Sequence, residues 1–130
     1  MPTTGKSSAI VRAFLAAMEA RDLEAARSFL APGFEMIFPG ATPMKALEEL
    51  VVWSQSRYLS VGKTYDQFDE LSSEAGQIVV YCFGHLHGVW PDGNVFDGIR
   101  FIDRFTVRDN KLIDQKVWND MGEAQLVLQK

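Results

Sequence analysis

The sequence predicts an α+β domain in which helices come first and strands follow. Residues 8–59 are dominated by apolar side chains at helical spacing, whereas residues 65–120 alternate between apolar and polar side chains with period two. Helices that precede a run of antiparallel strands are typical of the α+β class. With 130 residues and no internal repeat or linker, the chain is expected to form one domain over residues 1–130.

Three helices are predicted, over residues 8–22, 22–30 and 43–59. In the first, Ile10, Phe14 and Met18 recur on one face of the helix. Asp22 is the expected N-cap of the second helix, and the Pro-Gly pair at 32–33 is its expected end.

Strands are predicted over residues 34–38, 65–72, 76–90, 95–108 and 111–120, with a short helical tail over 122–129. The turn WPDGN at residues 90–94 has the chemistry of a three-residue hairpin loop that pairs Trp90 with Asn94. This loop length sets the expected register of the two strands on either side of it.

The strand over residues 95–108 carries an aspartate on its apolar face. One face holds Ile99, Phe101, Asp103, Phe105 and Val107, and the other holds Arg100, Arg104 and Arg108. A carboxylate in such surroundings is costly unless it is hydrogen-bonded, paired or neutral. Asp103 is therefore expected to be either a satisfied structural group or the centre of a site.

The three-residue loop would place four further side chains beside Asp103. In this register Asp103 opposes Tyr81 and His85 opposes Ile99, and directly opposed residues share a face. The shared face would carry Tyr81, Phe83, His85 and His87. A loop of two or four residues would instead place Cys82, Gly84 and Leu86 there.

A face with two histidines, a tyrosine and an aspartate among aromatic groups is typical of a small-molecule pocket. The predicted catalytic residues are His85, which would move a proton, Asp103, Tyr81 and Asp120. Asp103 would orient the histidine or, if neutral, donate to an oxyanion. The expected ligand-lining residues are Phe14, Phe38, Trp53, Tyr58, Phe83, His87, Phe101, Phe105 and Trp118. The alternative is that the histidines are packed or paired structural groups.

Composition argues against several function classes. A formal net charge of −4 disfavours nucleic acid and acidic membranes, and no apolar run approaches the roughly 18 residues of a membrane span. Residues 1–8 lack the apolar core of a signal peptide, which predicts a cytoplasmic protein. With Cys82 as the single cysteine and only two histidines, neither a disulfide nor a bound metal is expected, and no cofactor is predicted.

The opposite face of the sheet predicts a homodimer. It would carry Val80, Cys82, Leu86, Trp90 and Ile102, and contiguous apolar surface of this kind is usually covered. Arg100, Arg104 and Arg108 lie on the same face. These arginines are expected to be solvated and to leave part of the face exposed to water.

Two segments carry a family resemblance: FLAAMEARDLEAARSFLAPGFEMIFPG at residues 14–40 and IDRFTVRDNKLIDQKVWND at residues 102–120. Together with the order of helices and strands, they resemble the nuclear transport factor 2-like superfamily, and within it the SnoaL-like branch. The resemblance implies a curved mixed or antiparallel sheet forming a cone around three N-terminal helices (a cystatin-like α+β barrel), often dimerising through the sheet. It implies less about activity, because this fold hosts isomerases, dehydratases, cyclases, epoxide hydrolases and non-enzymatic domains.

The resemblance to particular enzymes of this fold is incomplete. Ketosteroid isomerases place an aspartate where Asp103 stands, but Phe14 and Phe38 replace their tyrosine and their basic aspartate. The epoxide hydrolases resemble this chain at Asp103 and Asp120, whereas Phe101 replaces their arginine. Scytalone dehydratase-like members combine histidines with an aspartate, and SnoaL-like cyclases use an acid/base aspartate in the same cavity.

The residues and the resemblance together predict a pocket protein for small hydrophobic molecules. The expected activity is cofactor-independent acid/base chemistry, of isomerase, dehydratase or cyclase type, on a carbonyl or hydroxyl compound. The alternative is a non-catalytic ligand-binding or dimerisation module of the same fold.

Overall fold

The computed structural model describes residues 5–73 and 76–128, and within them four helices and five strands. The helices are α1 (Lys6–Glu19), α2 (Leu23–Arg27), α3 (Leu47–Ser54) and α4 (Met121–Leu128). The strands are β1 (Leu30–Ile37), β2 (Ser60–Ser72), β3 (Gln77–Val89), β4 (Val95–Arg108) and β5 (Lys111–Asn119). The predicted α+β class is confirmed, while residues 1–4 of the predicted polar start lie outside the described residues. No described helix is long and apolar enough to cross a membrane.

The five strands form one mixed, curved sheet in the order β1-β5-β4-β3-β2. β1 pairs with β5 in parallel, and the other neighbouring strands are antiparallel. The helices α1 and α3 share a buried core with one face of the sheet, which carries Cys82, Asp103 and Phe105. We call this the inner face and its opposite the outer face.

The segment after α2 differs from the prediction. β1 begins at Leu30, so the Pro-Gly pair at 32–33 lies inside a strand and does not close a helix. Gly33 has a φ of +82°, and the pairing of β1 with β5 shifts between Leu30 and Glu35. The pair interrupts the ladder because proline has no N–H to donate and glycine tolerates the left-handed conformation.

α3 is shorter than predicted, and β2 is longer. Met44 and Met36 exchange two backbone hydrogen bonds of 2.8 and 2.9 Å, which hold the chain before α3 in an isolated β-bridge. The helix therefore begins at Leu47, and the Glu49 carboxylate accepts backbone N–H groups just before it. Gly62, which follows the predicted end of the third helix at residue 59, lies inside β2.

The hairpin between β3 and β4 confirms the predicted turn but not the predicted register. The backbone N–H of Trp90 donates to the Asn94 carbonyl at 2.8 Å, as a three-residue loop requires. Further along, two residues of β4, Asp97 and Gly98, lie opposite His87 alone. This is a β-bulge, with Gly98 at a φ of +73°. The extra residue shifts the pairing by one position. The β3 side chains that were expected to share a face with Asp103 therefore lie on the opposite face of the sheet.

Candidate functional site

The bulge separates Asp103 from the side chains that were predicted to join it. Asp103 pairs with Cys82 and not with Tyr81, so the inner face of β3 carries Cys82, Gly84 and Leu86. The shared face predicted for Asp103 is therefore wrong for Tyr81, Phe83, His85 and His87. The predicted dimer face is wrong as well for four residues that lie in the core: Val80, Cys82, Leu86 and Trp90.

The alternation predicted for β4 is confirmed. Phe101, Asp103 and Phe105 are buried on the inner face, whereas Arg100 and Arg104 lie on the outer face. Asp103 therefore lies on the inner face between two buried aromatic rings.

Asp103 is paired with Lys63, a residue that the sequence analysis did not identify. The ammonium Nζ of Lys63 donates to Oδ2 of Asp103 at 2.7 Å. The Asp103 side chain is wholly buried, while the Lys63 side chain remains 20% exposed. Lys63 is on β2 opposite Leu86, so its side chain must cross β3 to reach β4. Gly84 lies at the crossing and presents no side chain there.

Gly84 also allows the close approach of β2 to β3. A Cβ at this position would lie 2.0 Å from the carbonyl oxygen of Thr64. This distance is shorter than any contact that Cβ atoms normally make. Thr64 is the neighbour of Lys63, so a larger residue at position 84 would displace the strand that positions the ammonium group.

Two small cavities of about 60 and 70 Å³ lie beside Lys63 on the inner side of the sheet. Asp103 lines the first and Gln115 lines the second. Four residues line both: Phe38, Tyr58, Val61 and Lys63. Five of the predicted ligand-lining residues border these two cavities: Phe14, Phe38, Trp53, Tyr58 and Phe101.

Two buried acceptor atoms on residues that line these cavities have no hydrogen-bond partner among the described residues. They are Oδ1 of Asp103 and Oε1 of Gln115, whose residues are 0% and 2% exposed. Leaving such an atom unsatisfied costs about 1–3 kcal/mol. Because nearly all buried polar atoms in proteins have a partner, two free acceptors beside a cavity favour a donor group bound there.

Aromatic groups enclose the ion pair. The Lys63 ammonium lies 5.1 Å from the centre of the Phe101 ring, within range of a cation–π contact. The rings of Phe38 and Trp53 lie 5.4 Å apart, and the Arg57 guanidinium is 4.2 Å from the centre of the Trp53 ring. An apolar space with a few fixed polar groups is typical of a small-molecule site.

Two titratable groups near the pair remain neutral. Burial, and then the nearby charge of Asp103, raise the pKa of the Cys82 thiol to about 12. Burial also raises the pKa of the Tyr65 phenol well above its ordinary value. Neither group therefore becomes a second anion that competes with Asp103 for Lys63 near neutral pH.

A larger groove of about 680 Å³ lies on the outer face. Its lining includes four residues that were predicted to surround Asp103: Phe83, His85, Trp118 and Asp120. Nδ1 of His85 is 3.6 Å from Oδ2 of Asp66, and Nε of Arg100 donates to Asp120 at 2.5 Å. Each of these side chains is at least 39% exposed, so both pairs are well solvated and weak.

Three predicted site residues line neither the inner cavities nor the outer groove. Tyr81 lies on the outer face, with the Arg104 guanidinium 5.9 Å from its ring centre. His87 is exposed, and Phe105 packs edge-on against Phe14 in the core. Among the described residues, no three His, Cys, Asp or Glu side chains are grouped so that they could hold a metal ion.

Comparison with known families agrees with this architecture. A model of the SnoaL-like domain matches residues 11–115. The chain belongs to the SnoaL-like domain family. A search of curated proteins gives no match to this SnoaL-like domain.

Solved structures share the fold of the SnoaL-like domain at low sequence identity. TerC co-crystallised with polyporic acid gives a TM-score of 0.77 at 17% identity, over 97% of this chain and 100% of TerC. A nuclear transport factor 2-like protein of unknown function from Burkholderia pseudomallei K96243 gives 0.72 at 16% identity, over 92% and 95% of the two chains. ActVI-ORFA from Streptomyces coelicolor gives 0.67 at 14% identity, over 88% and 95%. These likenesses show the nuclear transport factor 2-like fold.

Proposed function

We propose that this SnoaL-like domain binds a small, largely apolar carbonyl or hydroxyl compound in its inner cavities and acts on it by cofactor-independent acid/base chemistry. The reaction would be of isomerase, dehydratase or cyclase type. The observation that carries the proposal is the free Oδ1 of the buried Asp103 beside the Lys63 ammonium. The co-crystallisation of TerC with polyporic acid supports a small organic ligand for this fold.

The ion pair combines a base and a cation in one apolar space. Oδ1 of Asp103 can accept a proton from a hydroxyl group or from a carbon next to a carbonyl. Lys63 donates one N–H to Asp103 and retains two, which can stabilise the oxyanion that develops on the carbonyl oxygen. Both interactions are strengthened because the aromatic surroundings lower the local dielectric constant.

Asp103 takes the proton-transfer role that the sequence assigned to His85, and Lys63 takes the oxyanion-stabilising role that it assigned to Asp103. His85 and Tyr81 lie on the face of β3 opposite to the inner face that carries Asp103. Asp120 follows β5, and its carboxylate accepts from the Arg100 side chain and not from a group of the Lys63–Asp103 pair. In this proposal the outer-face residues have no part in the proton transfer.

Deuterium exchange at the α-carbons of cyclohexanone, followed by proton NMR in D₂O, tests the proposal. The wild-type protein should accelerate exchange over buffer, and Asp103→Asn and Lys63→Met should reduce it to background. His85→Ala is the matched control, since it removes a titratable group from the opposite face of the same sheet. Exchange that survives Asp103→Asn or that is lost in His85→Ala would contradict the assignment.

The same experiment separates an enzyme from a binding module. Saturable binding of cyclohexanone without any acceleration of exchange would favour the non-catalytic alternative. Circular dichroism of each variant establishes beforehand that the fold is retained.

We further propose that the outer groove holds a second copy of the chain in a homodimer. Three large apolar residues around it are exposed, namely Ile37, Ile102 and Trp118, at 37%, 44% and 52%. The groove also carries Asp66 on β2 and Lys116 on β5, which lie towards opposite edges of the sheet. A two-fold axis parallel to the strands would bring the acidic side of one copy over the basic side of the other.

A further inference from the structure

Gln115 is a buried amide that the fold itself does not explain. It lies on the inner face of β5, is 2% exposed, and pairs with Phe105. The cavity beside it is lined mostly by apolar side chains, including Leu15, Met18 and Leu50. Its oxygen Oε1 has no partner among the residues that the structure describes. A leucine or methionine would fill this position without burying an unpaired acceptor.

Gln115 and Asp103 are near neighbours on the same face. Asp103 pairs with Val117, and Gln115 is two residues from Val117 along β5. Such diagonal neighbours lie about 7–8 Å apart, and their β-carbons lie somewhat closer. The side chains that carry the two unpaired acceptors therefore start from neighbouring positions on the inner face, close enough for one ring-sized ligand to contact both residues.

Lys63 borders the cavities of both acceptor residues. It is one of the residues common to both inner cavities, and its ammonium already donates to Asp103. A ligand that occupies both cavities is therefore bordered by Lys63. Both acceptors require a donor, whereas Lys63 supplies donors to an acceptor on the ligand.

We propose that Gln115 is a specificity-determining residue, which selects ligands that carry two hydroxyl donors on one ring-sized scaffold. This inference rests on the proposed function, because it assumes that the ligand occupies the inner cavities. One hydroxyl donates to Oδ1 of Asp103 and the second donates to Oε1 of Gln115. A ligand with a single hydroxyl leaves the amide oxygen unpaired, and that loss disfavours its binding.

Calorimetric titration with resorcinol and with 3-methylphenol tests this selection, because the two phenols have nearly the same shape and differ by one hydroxyl group. The wild-type protein should bind resorcinol about tenfold more tightly, which is the effect of one added hydrogen bond. Gln115→Met should remove this preference. Gln67→Met, on the exposed surface of β2, is the matched control and should preserve it. Because Gln115→Met removes an unpaired polar atom, its thermal midpoint should equal or exceed that of the wild type.

Equal affinity of the wild type for the two phenols would overturn the selection, as would an unchanged preference in Gln115→Met. A large fall in the thermal midpoint of that variant would also overturn it, since it would mark the amide as structural. If Asp103→Asn weakens both phenols while Gln115→Met weakens neither, only the role of Gln115 fails. If neither phenol binds the wild-type protein, both the role of Gln115 and the proposed function fail.

Discussion

The two faces of the sheet carry similar side chains but differ in how those side chains are partnered. On the inner face, Asp103 has no contact with solvent and one cationic partner, Lys63. On the outer face, His85 and Asp66 lie 3.6 Å apart, with 45% and 49% of their side chains exposed. Water can replace any partner on the outer face, whereas a buried group must find its partners within the cavity. A polar group among aromatics therefore indicates a ligand site only where burial removes water as the alternative partner.

Breaking the ion pair should have the largest effect on stability. Lys63→Met leaves the Asp103 carboxylate buried without a counter-charge, which costs roughly 3–5 kcal/mol for a fully buried pair. We expect about 3 kcal/mol, the lower end of this range, because Lys63 keeps part of its side chain in solvent. Urea unfolding followed by tryptophan fluorescence measures this loss.

Two controls separate the ion pair from its surroundings. The double variant Lys63→Met/Asp103→Leu should recover most of the lost free energy of unfolding, since it removes both charges. Arg100→Met breaks the pair with Asp120 on the outer face and should leave the free energy of unfolding unchanged. A comparable loss of unfolding free energy in Lys63→Met and Arg100→Met would show that the ion pairs on the two faces contribute equally to stability.

A charge in the outer groove should change assembly and not stability. Ile102→Glu places a carboxylate at the centre of the proposed dimer face, so light scattering should show a dimer for the wild type and a monomer for the variant. Val95→Glu is the control, because Val95 is 80% exposed at the hairpin end of β4 and lies outside the groove. A monomeric wild-type protein at micromolar concentration would exclude the dimer.

The bulge that separates the faces can be tested through its glycine. Gly98→Ala forces a β-carbon into a φ of +73°, and the left-handed conformation costs an ordinary residue about 1–2 kcal/mol. Thermal unfolding should therefore show a lower midpoint. Gly122→Ala is the matched control, because Gly122 lies in α4 with open space at its Cβ and should gain helix stability. An unchanged midpoint in Gly98→Ala would show that the bulge is not under this constraint.

The alternation of β4 was predictable from sequence because period two is a local property. It placed Asp103 inward between Phe101 and Phe105, where the structure has it. The register with β3 was not predictable from the turn alone, because the bulge at Gly98 lies beyond it. A glycine inside a strand pattern signals such a bulge, and that signal was present in the sequence.

Lys63 was missed for a non-local reason. Gly62 resembles the end of a helix, but β2 begins at Ser60 because that residue pairs with Val89 on β3. Gln115 was missed because the pairing of β4 with β5 shifts after Thr106, which breaks the alternation along β5. A polar residue on an apolar face identified Asp103, and the same criterion would have identified Gln115 had the shift been known.

The smallest expected effect concerns Cys82 on the inner face. Its pKa of about 12 keeps the thiol protonated at pH 8, and reactivity rises only as the pH approaches that value. Iodoacetamide should therefore label the Cys82 thiol of the native protein no faster than the protein unfolds. Fast labelling at pH 8 without denaturant would show that the inner face is open to solvent.

The division of roles between the two faces can be tested in one NMR titration of the ¹⁵N-labelled protein with resorcinol. If the inner cavities are the ligand site, the largest shifts of backbone amide signals occur at Lys63, Asp103 and Gln115, while those of His85 and Trp118 stay in place. The largest shifts at His85 and Trp118, with the inner-face signals unmoved, would contradict the assignment of the site to the inner face.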